Sequence, residues 1–211
     1  SYDYRSIIYP LPSLSIEKLN LASKIKKIGY LQNKYILFNS SVVPRKNLHF
    51  LIDVFKSSEI ANKNFNLCVA GKIHDDKYGK EIMKMAEEDS RIKLLNYVNE
   101  TEKAWLFLNA HAFVSPSCVE GFGIPVLDAA SLGLRVIVSD IPSHREIVNL
   151  VDGKQNVRLL DLSNVDDWID ELNRLNTINF SMDLEINNRI SNFQERIKLL
   201  KSSFDQTIID F

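Results

Sequence analysis

The sequence has few cysteines, no long hydrophobic run and almost no net charge. Its two cysteines, Cys68 and Cys118, are too few for a disulfide or metal framework. No apolar run is long enough to span a bilayer, and the N-terminus lacks the charged, apolar and small-residue order of a signal peptide. A formal net charge of -1 argues against a dedicated nucleic-acid binder. These absences predict a cytoplasmic globular protein without a transmembrane segment.

Two further absences narrow the choice of cofactor. No Gly-x-Gly-x-x-Gly sequence follows the first predicted strand, which argues against a dinucleotide-dependent dehydrogenase. His74, Asp75 and Asp76 are potential metal ligands, but three neighbours in one turn give poor coordination geometry. We therefore expect neither a metal nor a cofactor in this chain.

Strand and helix patterns alternate along the chain about six times. Short apolar runs predict strands at residues 35–38, 66–70, 91–95, 111–115, 135–138 and 156–160. Apolar residues recur at helical spacing between these runs, as Leu48, Leu51, Ile52 and Phe55 do. Right-handed crossovers join such units into one parallel sheet with helices on both faces. The sequence therefore predicts an α/β fold, a single doubly wound Rossmann-like domain.

Polar residues mark the starts of several predicted helices. Ser15, Asn47 and Ser163 stand at N-cap positions, and Asn99 with Glu102 forms a capping-box pattern. The last predicted helix, residues 187–209, is amphipathic and is expected to pack on the sheet. Membrane association is the alternative for this helix, and its mixed-charge polar face disfavours it.

The segment SPSCVEGFGIPVLD, residues 115–128, joins the fourth predicted strand to a helix. Gly121 and Gly123 permit positive φ and let a ligand approach the backbone closely. The amides and dipole of the helix N-terminus form an anion site, normally for phosphate. Glu120 and Asp128 flank that site and would repel a phosphate. They are better suited to accepting hydrogen bonds from the hydroxyls of a sugar or a ribose.

Two other polar groups are expected near the same edge of the sheet. Arg45 and Lys46 lie in the loop after the first strand, where cations can meet a bound anion at the carboxyl edge of a parallel sheet. The alternative is that they are exposed charges before a helix cap. His144 and Glu146 follow the fifth strand and either face the same cleft or lie on the surface.

Residues 120–128 resemble the Glu-x7-Glu signature of the retaining nucleotide-sugar glycosyltransferases with the two-domain GT-B fold, the group 1 glycosyltransferases. The resemblance extends from about residue 35 to residue 146 and includes PRKN at 44–47, VAG at 69–71 and SDIPSHRE at 139–146. Asp128 is one methylene shorter than the acid that the family usually has at the second position. The resemblance implies that this chain is one half of a GT-B architecture.

The family's site residues carry over to matching positions. The resemblance implies that Glu120 is the catalytic acid beside the donor sugar and that Asp128 accepts from the ribose hydroxyls. Lys46 matches the diphosphate-binding lysine of the family. A second phosphate-contacting cation of the family aligns with Ser41. Either Arg45 substitutes for that cation, or Ser41 donates a neutral hydrogen bond.

The resemblance also implies substrate contacts at three strand ends. The positions are Gly121, Phe122, Gly123 and Ile124 for the diphosphate, Gly71 after the second strand, and Tyr97 with Val98 for the base. On this assignment, Asp128→Asn is expected to weaken nucleotide binding and barely change the melting temperature. Lys46→Ala is expected to weaken nucleotide binding and leave the fold intact.

The resemblance implies retaining transfer of a sugar from a nucleotide-diphosphate sugar to a glycan or lipid-linked acceptor in bacterial surface polysaccharide synthesis. The full protein is then expected at the inner membrane face. Residues 1–33 are expected to form a lead-in, 34–160 the core sheet domain and 161–211 the C-terminal helices. The family's acceptor-binding domain is not among these residues, so the chain alone is expected to bind donor and transfer little. Two alternatives stay open: a related nucleotide-sugar epimerase and a non-catalytic nucleotide-binding interaction module.

Overall fold

The computed structural model describes residues 11–25, 31, 34–151, 156–177 and 182–209, with side chains in the last range described for 185–202. The remaining residues of the predicted lead-in, 1–10, 26–30 and 32–33, lie outside the described part. The strands are β1 Lys34–Asn39, β2 Phe65–Ala70, β3 Ile92–Asn96, β4 Ala112–Ser115, β5 Val136–Ser139 and β6 Val157–Leu160. The α-helices are α1 Ile16–Ala22, α2 Leu48–Ser57, α3 Lys77–Glu87, α4 Glu100–Asn109, α5 Ile124–Ser131, α6 Pro142–Leu150, α7 Val165–Arg174 and α8 Met182–Ile209.

The six strands form one sheet in the order β3-β2-β1-β4-β5-β6, and every neighbouring pair is parallel. This arrangement confirms the predicted doubly wound sheet. The strand order reverses between β1 and β4. Loops that leave the carboxyl ends of two strands diverge at such a point, and the crevice between them is the usual ligand site of an open α/β sheet.

Alternate residues of each strand enter two separate hydrophobic cores, as the period of a strand requires. In β1, Tyr35 and Leu37 face the core beneath α1, α4, α5, α6 and α8, whereas Ile36 and Phe38 face the core beneath α2, α3 and α7. The four central strands, β1, β2, β4 and β5, are buried on both faces, which explains why they read as continuous apolar runs. Helices therefore cover both faces of the sheet, as predicted.

Two of the predicted N-caps are confirmed, one of them as a complete capping box. The Ser15 side chain accepts from the backbone N–H of Lys18 at the start of α1. At the start of α4, the Asn99 side chain accepts from the N–H groups of Thr101 and Glu102, and the Glu102 carboxylate accepts from the N–H of Asn99. These caps fix the two helices that pack against each other beside β1.

Asn47 occupies the predicted N-cap position of α2 without a side-chain cap bond, and the predicted cap at Ser163 is wrong. Asn47 has φ 58 and ψ 36 and makes no side-chain cap bond, because its backbone N–H closes the 3-10 turn Pro44–Lys46. Asparagine tolerates this left-handed conformation better than most residues. Ser163 instead donates to the Asp161 carboxylate from both its backbone and its hydroxyl, and Asn164 occupies the N-cap position of α7.

Candidate functional site

The loops after β1 and β4 meet where the strand order reverses. The loop after β1 contains the 3-10 turn Pro44–Lys46, and the loop after β4 runs through residues 116–123. The backbone N–H of Cys118 donates to the carbonyl of Arg45 over 2.8 Å, which links the two loops directly. The candidate site thus lies in the crevice where the topology of an open α/β sheet favours ligand binding.

Glu120 lies in this crevice and contacts two of the residues predicted for the site, Lys46 and Arg45. The Lys46 ammonium donates to its Oε1 atom, and Arg45 Nη1 lies 3.2 Å from its Oε2 atom. The Ser117 hydroxyl donates to Oε1 over 2.8 Å. The side chains of Lys46 and Glu120 are 8% and 7% exposed, whereas that of Arg45 is 52% exposed. Lys46 is therefore a buried partner of the acid. Arg45 is a long, half-exposed cation at the rim of the crevice.

Glu120 is held as a carboxylate by these neighbours. Burial acts to raise its pKa, but the hydrogen bonds from Lys46 and Ser117 and the charges of Lys46 and Arg45 outweigh it, so the pKa lies below its usual value. The two cations and one carboxylate give the cluster a net charge of about +1. The cluster can therefore attract an anion while the acid remains available to accept hydrogen bonds.

The glycine turn supplies unpaired backbone donors beside the cluster. Gly123 has φ 99, a conformation that favours glycine, and occupies the N-cap position of α5. A Cβ atom at Gly121 would meet nothing within 4 Å, so the turn is open there. Within the described part of the chain, the N–H groups of residues 121–124 donate to no backbone or side-chain acceptor. Such N–H groups at a helix N-terminus are suited to an anion.

His144, on α6, lies on the inner side of the same turn. Its side chain is 0% exposed, and its Nδ1 atom lies 2.8 Å from the carbonyl oxygen of Ser139. A Cβ atom at Gly123 would lie 3.6 Å from His144 Nε2. Glu146, by contrast, is on the exposed face of α6. Of the two residues left open by the sequence, His144 therefore faces the site and Glu146 does not.

Asp128 lies apart from this cluster and is fully covered. Its carboxylate is 0% exposed and accepts from the backbone N–H of Ser13 over 2.6 Å, the N–H of Leu14 over 3.1 Å and the Ser13 hydroxyl. Lys103 Nζ donates to the same hydroxyl over 3.0 Å. Burial raises the pKa of Asp128, and these hydrogen bonds act in the opposite direction. Groups of the chain itself therefore fill the hydrogen-bonding positions of Asp128, the second acid of the signature.

The other predicted contact residues have varied surroundings. Ser41 lies in the loop after β1 and is exposed, so its hydroxyl is accessible to solvent. Gly71 has φ 149, and a Cβ atom there would lie 1.9 Å from the carbonyl oxygen of Ser40, so this glycine lets two loops pack together. At the end of β3, Tyr97 is 81% exposed and Val98 is 9% exposed. Phe122 packs partly against the core, which anchors the glycine turn.

A comparison of the sequence with known families gives one match that covers most of the chain. The model of the family described as glycosyl transferases group 1 matches residues 21–193. The chain belongs to the group 1 glycosyl transferases. The predicted family is thus confirmed, and the cluster around Glu120 and the glycine turn lies inside the matched region.

Curated relatives of this family are similar over part of their length. The O-antigen chain mannosyltransferase RfbU of Salmonella typhimurium is 30% identical over 156 residues, which are 70% of this chain and 43% of that protein. O-antigen chain mannosyltransferase B of Escherichia coli is 29% identical over 116 residues, which are 54% of this chain and 30% of that protein. The chain therefore spans less than half of the length of these relatives.

Solved glycosyltransferase structures share the fold. TarM superposes with a TM-score of 0.63 at 21% identity, covering 87% of this chain and 36% of that one. WaaG, a glycosyltransferase involved in lipopolysaccharide biosynthesis, superposes with a TM-score of 0.63 at 17% identity, covering 93% of this chain and 51% of that one. These likenesses confirm the Rossmann-like α/β fold predicted from the resemblance to GT-B enzymes.

Sequence reasoning missed several residues that shape this candidate site. Ser117, three residues before Glu120, holds the acid, and its place in a loop that ends in a signature acid was the available signal. Ser13 and Lys103 surround Asp128 from distant parts of the chain. No local pattern marks Ser13, because 115 residues separate it from Asp128.

Three further observations concern a separate pocket, metal binding and membrane-spanning helices. The pocket of about 440 Å³ between the end of α5 and α8 shares no lining residue with the cluster around Glu120. Among the described residues, no three His, Cys, Asp or Glu side chains form a group that could hold a metal ion. None of the helices in the described ranges is long and apolar enough to cross a bilayer.

Proposed function

We propose that this chain is the donor-binding half of a retaining glycosyltransferase that uses a nucleotide-diphosphate sugar. The observation that carries the proposal is the convergence of Lys46, Arg45 and Glu120 with the unpaired N–H groups of residues 121–124 at the β1/β4 crevice. A diphosphate needs cations and backbone donors, and a sugar needs an acceptor beside them. This crevice supplies all three within one cluster.

Lys46 and the glycine turn would hold the diphosphate. The Lys46 ammonium has three donors, and only one is directed to Glu120, so the others can bind phosphate oxygens. Arg45 at the exposed rim would provide the second cation, which favours Arg45 over the neutral Ser41 hydroxyl as the replacement for the family's second cation. Charge that develops on the leaving diphosphate would be stabilised by donors already in position.

Glu120 would stand beside the donor sugar. Its pKa is held below the usual value, so it is ionised near neutral pH and can accept from sugar hydroxyls. It would also stabilise positive charge that develops on the sugar as the bond to the diphosphate breaks. Retention of configuration rests on the family resemblance.

The nucleoside requires one rearrangement. Asp128 can accept from ribose hydroxyls only after Ser13 and Leu14 leave its carboxylate. Tyr97, largely exposed at the end of β3, offers a face for a base, with Val98 and Gly71 lining the approach. We propose that the ribose displaces the Ser13 contact when the nucleotide binds.

The substrate class follows from the named relatives. Because two of them are mannosyltransferases of O-antigen chains, we propose a mannosyl donor and a glycan or lipid-linked acceptor of a bacterial surface polysaccharide. Further chain would supply the acceptor site, because the curated relatives are more than twice as long as the matched segments. The complete enzyme would then act at the cytoplasmic face of the inner membrane.

Calorimetry with a panel of nucleotide sugars tests the proposal. GDP-mannose, UDP-glucose, UDP-N-acetylglucosamine and dTDP-rhamnose would be titrated into the chain, each beside its nucleoside diphosphate. One nucleotide sugar is expected to bind more tightly than the others. Glu120→Gln is expected to weaken that nucleotide sugar but not its nucleoside diphosphate, because the substitution leaves Lys46 and Arg45 free for phosphate.

The same panel separates the alternatives. Absence of binding to every nucleotide and nucleotide sugar would leave a non-catalytic interaction module. Conversion of a bound nucleotide sugar into its epimer without acceptor, followed by NMR, would indicate an epimerase. A loss of nucleoside diphosphate binding in Glu120→Gln would contradict the assignment of Glu120 to the sugar.

A further inference from the structure

His144 carries a buried polar atom that has no partner in the described part of the chain, beside the glycine turn of the proposed donor site. Its side chain is 0% exposed, and its Nε2 atom makes no hydrogen bond among the described residues. Buried polar atoms are nearly always paired, so such an atom calls for a ligand or a cost in stability. The mechanism proposed above does not use this atom.

The geometry fixes which nitrogen of His144 is free. Nδ1 lies 2.8 Å from the carbonyl oxygen of Ser139, and a carbonyl can only accept, so Nδ1 carries a proton. Nε2 is therefore a bare acceptor in the neutral ring and a donor only in the imidazolium. The Ser139 hydroxyl donates to the carbonyl of Ser117, which ties this arrangement to the loop that holds Glu120.

Nε2 is directed at the glycine turn. A Cβ atom at Gly123 would lie 3.6 Å from Nε2 and 3.5 Å from Cδ2 of the same ring. The N–H groups of residues 121–124 on this turn have no acceptor among the residues that the structure describes, and α5 begins at Ile124. The buried nitrogen and the start of α5 are therefore two independent features that lie at the same turn, and a helix N-terminus is suited to an anion.

Charge balance indicates the protonation state that a bound donor requires. Lys46 and Arg45 with Glu120 give the cluster a net charge of about +1, and the diphosphate of a nucleotide sugar carries two negative charges. One negative charge stays uncompensated if His144 is neutral. A proton on His144 restores neutrality and turns Nε2 into a donor toward phosphate.

We propose that His144 is a phosphate-binding residue of the donor site and that it takes up one proton from solvent when a nucleotide sugar binds. This inference rests on the proposed function. In the empty site His144 is neutral, and in the complex its Nε2–H donates to a diphosphate oxygen while Nδ1–H stays on Ser139. His144 thus makes donor binding stronger as the pH falls.

The groups around the ring agree with this direction. Burial lowers the pKa of His144 in the empty site, the Ser139 carbonyl and the Glu120 charge act to raise it, and the Lys46 charge acts to lower it. On α6 itself, Arg145 is paired with Asp140 on the exposed side. A diphosphate adds negative charge close to Nε2, so the pKa rises on binding and protons are consumed.

The proposal is tested by calorimetry of the nucleotide sugar that binds best in the panel above. Its diphosphate is a diester and has no ionisation of its own between about pH 5.5 and 8. Titrations in buffers with different ionisation enthalpies give the number of protons taken up. We expect close to one proton near the lower end of this range and a dissociation constant that rises by up to about tenfold per pH unit.

Three variants make the readout specific to His144. His144→Asn can keep a donor to the Ser139 carbonyl but has no Nε2, so it is expected to lose proton uptake, pH dependence and about tenfold or more in affinity near pH 6. His144→Gln places a neutral amide near the Nε2 position and is expected to lose proton uptake but less affinity. His49→Gln, at an exposed histidine on α2, is the matched control and is expected to behave like the parent chain.

Each contrary result has a distinct meaning. Binding without proton uptake overturns the role of His144 and leaves the proposed function intact, whether or not His144→Asn binds more weakly. Proton uptake that persists in both His144 variants assigns the proton to another group and overturns the inference as well. Absence of binding to the whole panel removes the proposed function and this inference with it.

Discussion

The two acids of the signature occupy opposite environments although only seven residues separate them. Glu120 lies in the crevice between the loops after β1 and β4, and two cations and a hydroxyl surround it. Asp128 lies one turn into α5, fully buried, and accepts three hydrogen bonds from Ser13 and Leu14. The pKa of Glu120 is lowered and that of Asp128 is raised.

This difference shows that one sequence pattern can place one acid among side-chain cations and the other among backbone N–H groups. Glu120 has partners that a ligand can share, because ammonium and guanidinium groups carry several donors each. Asp128 has backbone partners that occupy its oxygens in fixed directions. The methylene that Asp128 lacks relative to glutamate matches this arrangement, since the shorter side chain stays close to the helix and meets the segment that packs over it.

The largest effect is expected when the covered acid is removed. Asp128→Ala leaves two buried N–H groups and a hydroxyl without their acceptor, so we expect a loss of about 2 to 4 kcal/mol in the free energy of unfolding. Each kcal/mol lowers the melting temperature of a chain of this length by about 2 to 4 °C. Chemical and thermal denaturation measure the effect. The sequence alone predicts a barely changed melting temperature for Asp128→Asn, whereas the buried hydrogen bonds of Asp128 predict a clear loss of stability for Asp128→Ala.

Two variants control for this prediction. Asp170→Ala removes an exposed aspartate from α7 and is expected to change stability by less than about 0.5 kcal/mol. Ser13→Ala removes one of the three donors and is expected to cost about 1 kcal/mol, with most of that cost absent when Asp128 is already replaced. Equal stability of Asp128→Ala and the parent chain would show that the Ser13 segment does not cover the acid in solution.

The next largest effect is expected at Lys46, the buried cation that pairs with Glu120. Lys46→Ala is expected to weaken binding of the nucleoside diphosphate by about 1.5 to 3 kcal/mol, the range for a charged hydrogen bond. This corresponds to roughly a 10- to 150-fold rise in the dissociation constant. Isothermal calorimetry measures it. Because the Glu120 carboxylate is left with less compensation, a smaller loss of stability is also expected, and the fold is expected to stay intact, as the sequence predicts.

Lys63→Ala is the matched control for Lys46→Ala. Lys63 pairs with Glu59 on the surface, with side chains 44% and 73% exposed, so its loss should change neither binding nor stability appreciably. An unchanged dissociation constant in a folded Lys46→Ala protein would remove Lys46 from the phosphate site.

The third prediction uses the opposite pKa directions of the two acids. The lowered pKa of Glu120 contributes stability that is present above the ordinary value of 4.5 and is lost as the pH falls through the lowered one. The raised pKa of Asp128 contributes stability that is present below the ordinary value of 3.8 and is lost as the pH rises through the raised one. Denaturation across acidic pH measures both.

Glu120→Gln and Asp128→Asn isolate the two contributions. The stability difference between the parent chain and Glu120→Gln should grow as the pH rises from the acid limit, whereas the difference from Asp128→Asn should shrink. If both stability differences changed in the same direction with pH, the contrast between Glu120 and Asp128 would be contradicted.

The sequence predicted the grouping of Glu120 with Lys46 and Arg45 better than the surroundings of Asp128, for a physical reason. Glu120, Lys46 and the glycine turn lie at strand ends that a parallel sheet brings together by its topology, so alternation of strands and helices was enough to place them. The covering of Asp128 depends on a segment more than a hundred residues away. Local patterns do not encode such a contact.

The same distinction applies to the helix caps. The cap at Asn99 follows from residues three positions apart, and the structure confirms it. Asn47 and Ser163 also have residue types suited to caps, but competing local bonds decide their geometry: a 3-10 turn closes at Asn47, and Asp161 binds Ser163. Propensity identified the helix starts, and competition between nearby partners left α2 and α7 without a side-chain cap bond.

The smallest effect is expected from a change in salt concentration, which screens the charges around Glu120 and not the buried Asp128. Raising the salt concentration from about 50 to about 500 mM shortens the screening length, but only a net charge of about +1 lies in the crevice, so nucleotide affinity should fall by a few-fold. In Glu120→Gln, Lys46 and Arg45 lose their internal counterion, and the salt dependence should become steeper. Asp128→Asn should keep the slope of the parent chain, because its carboxylate is buried away from the bound diphosphate. Calorimetry at four salt concentrations measures all three slopes, and a steep slope in the parent chain would require a larger basic surface than the two cations beside Glu120.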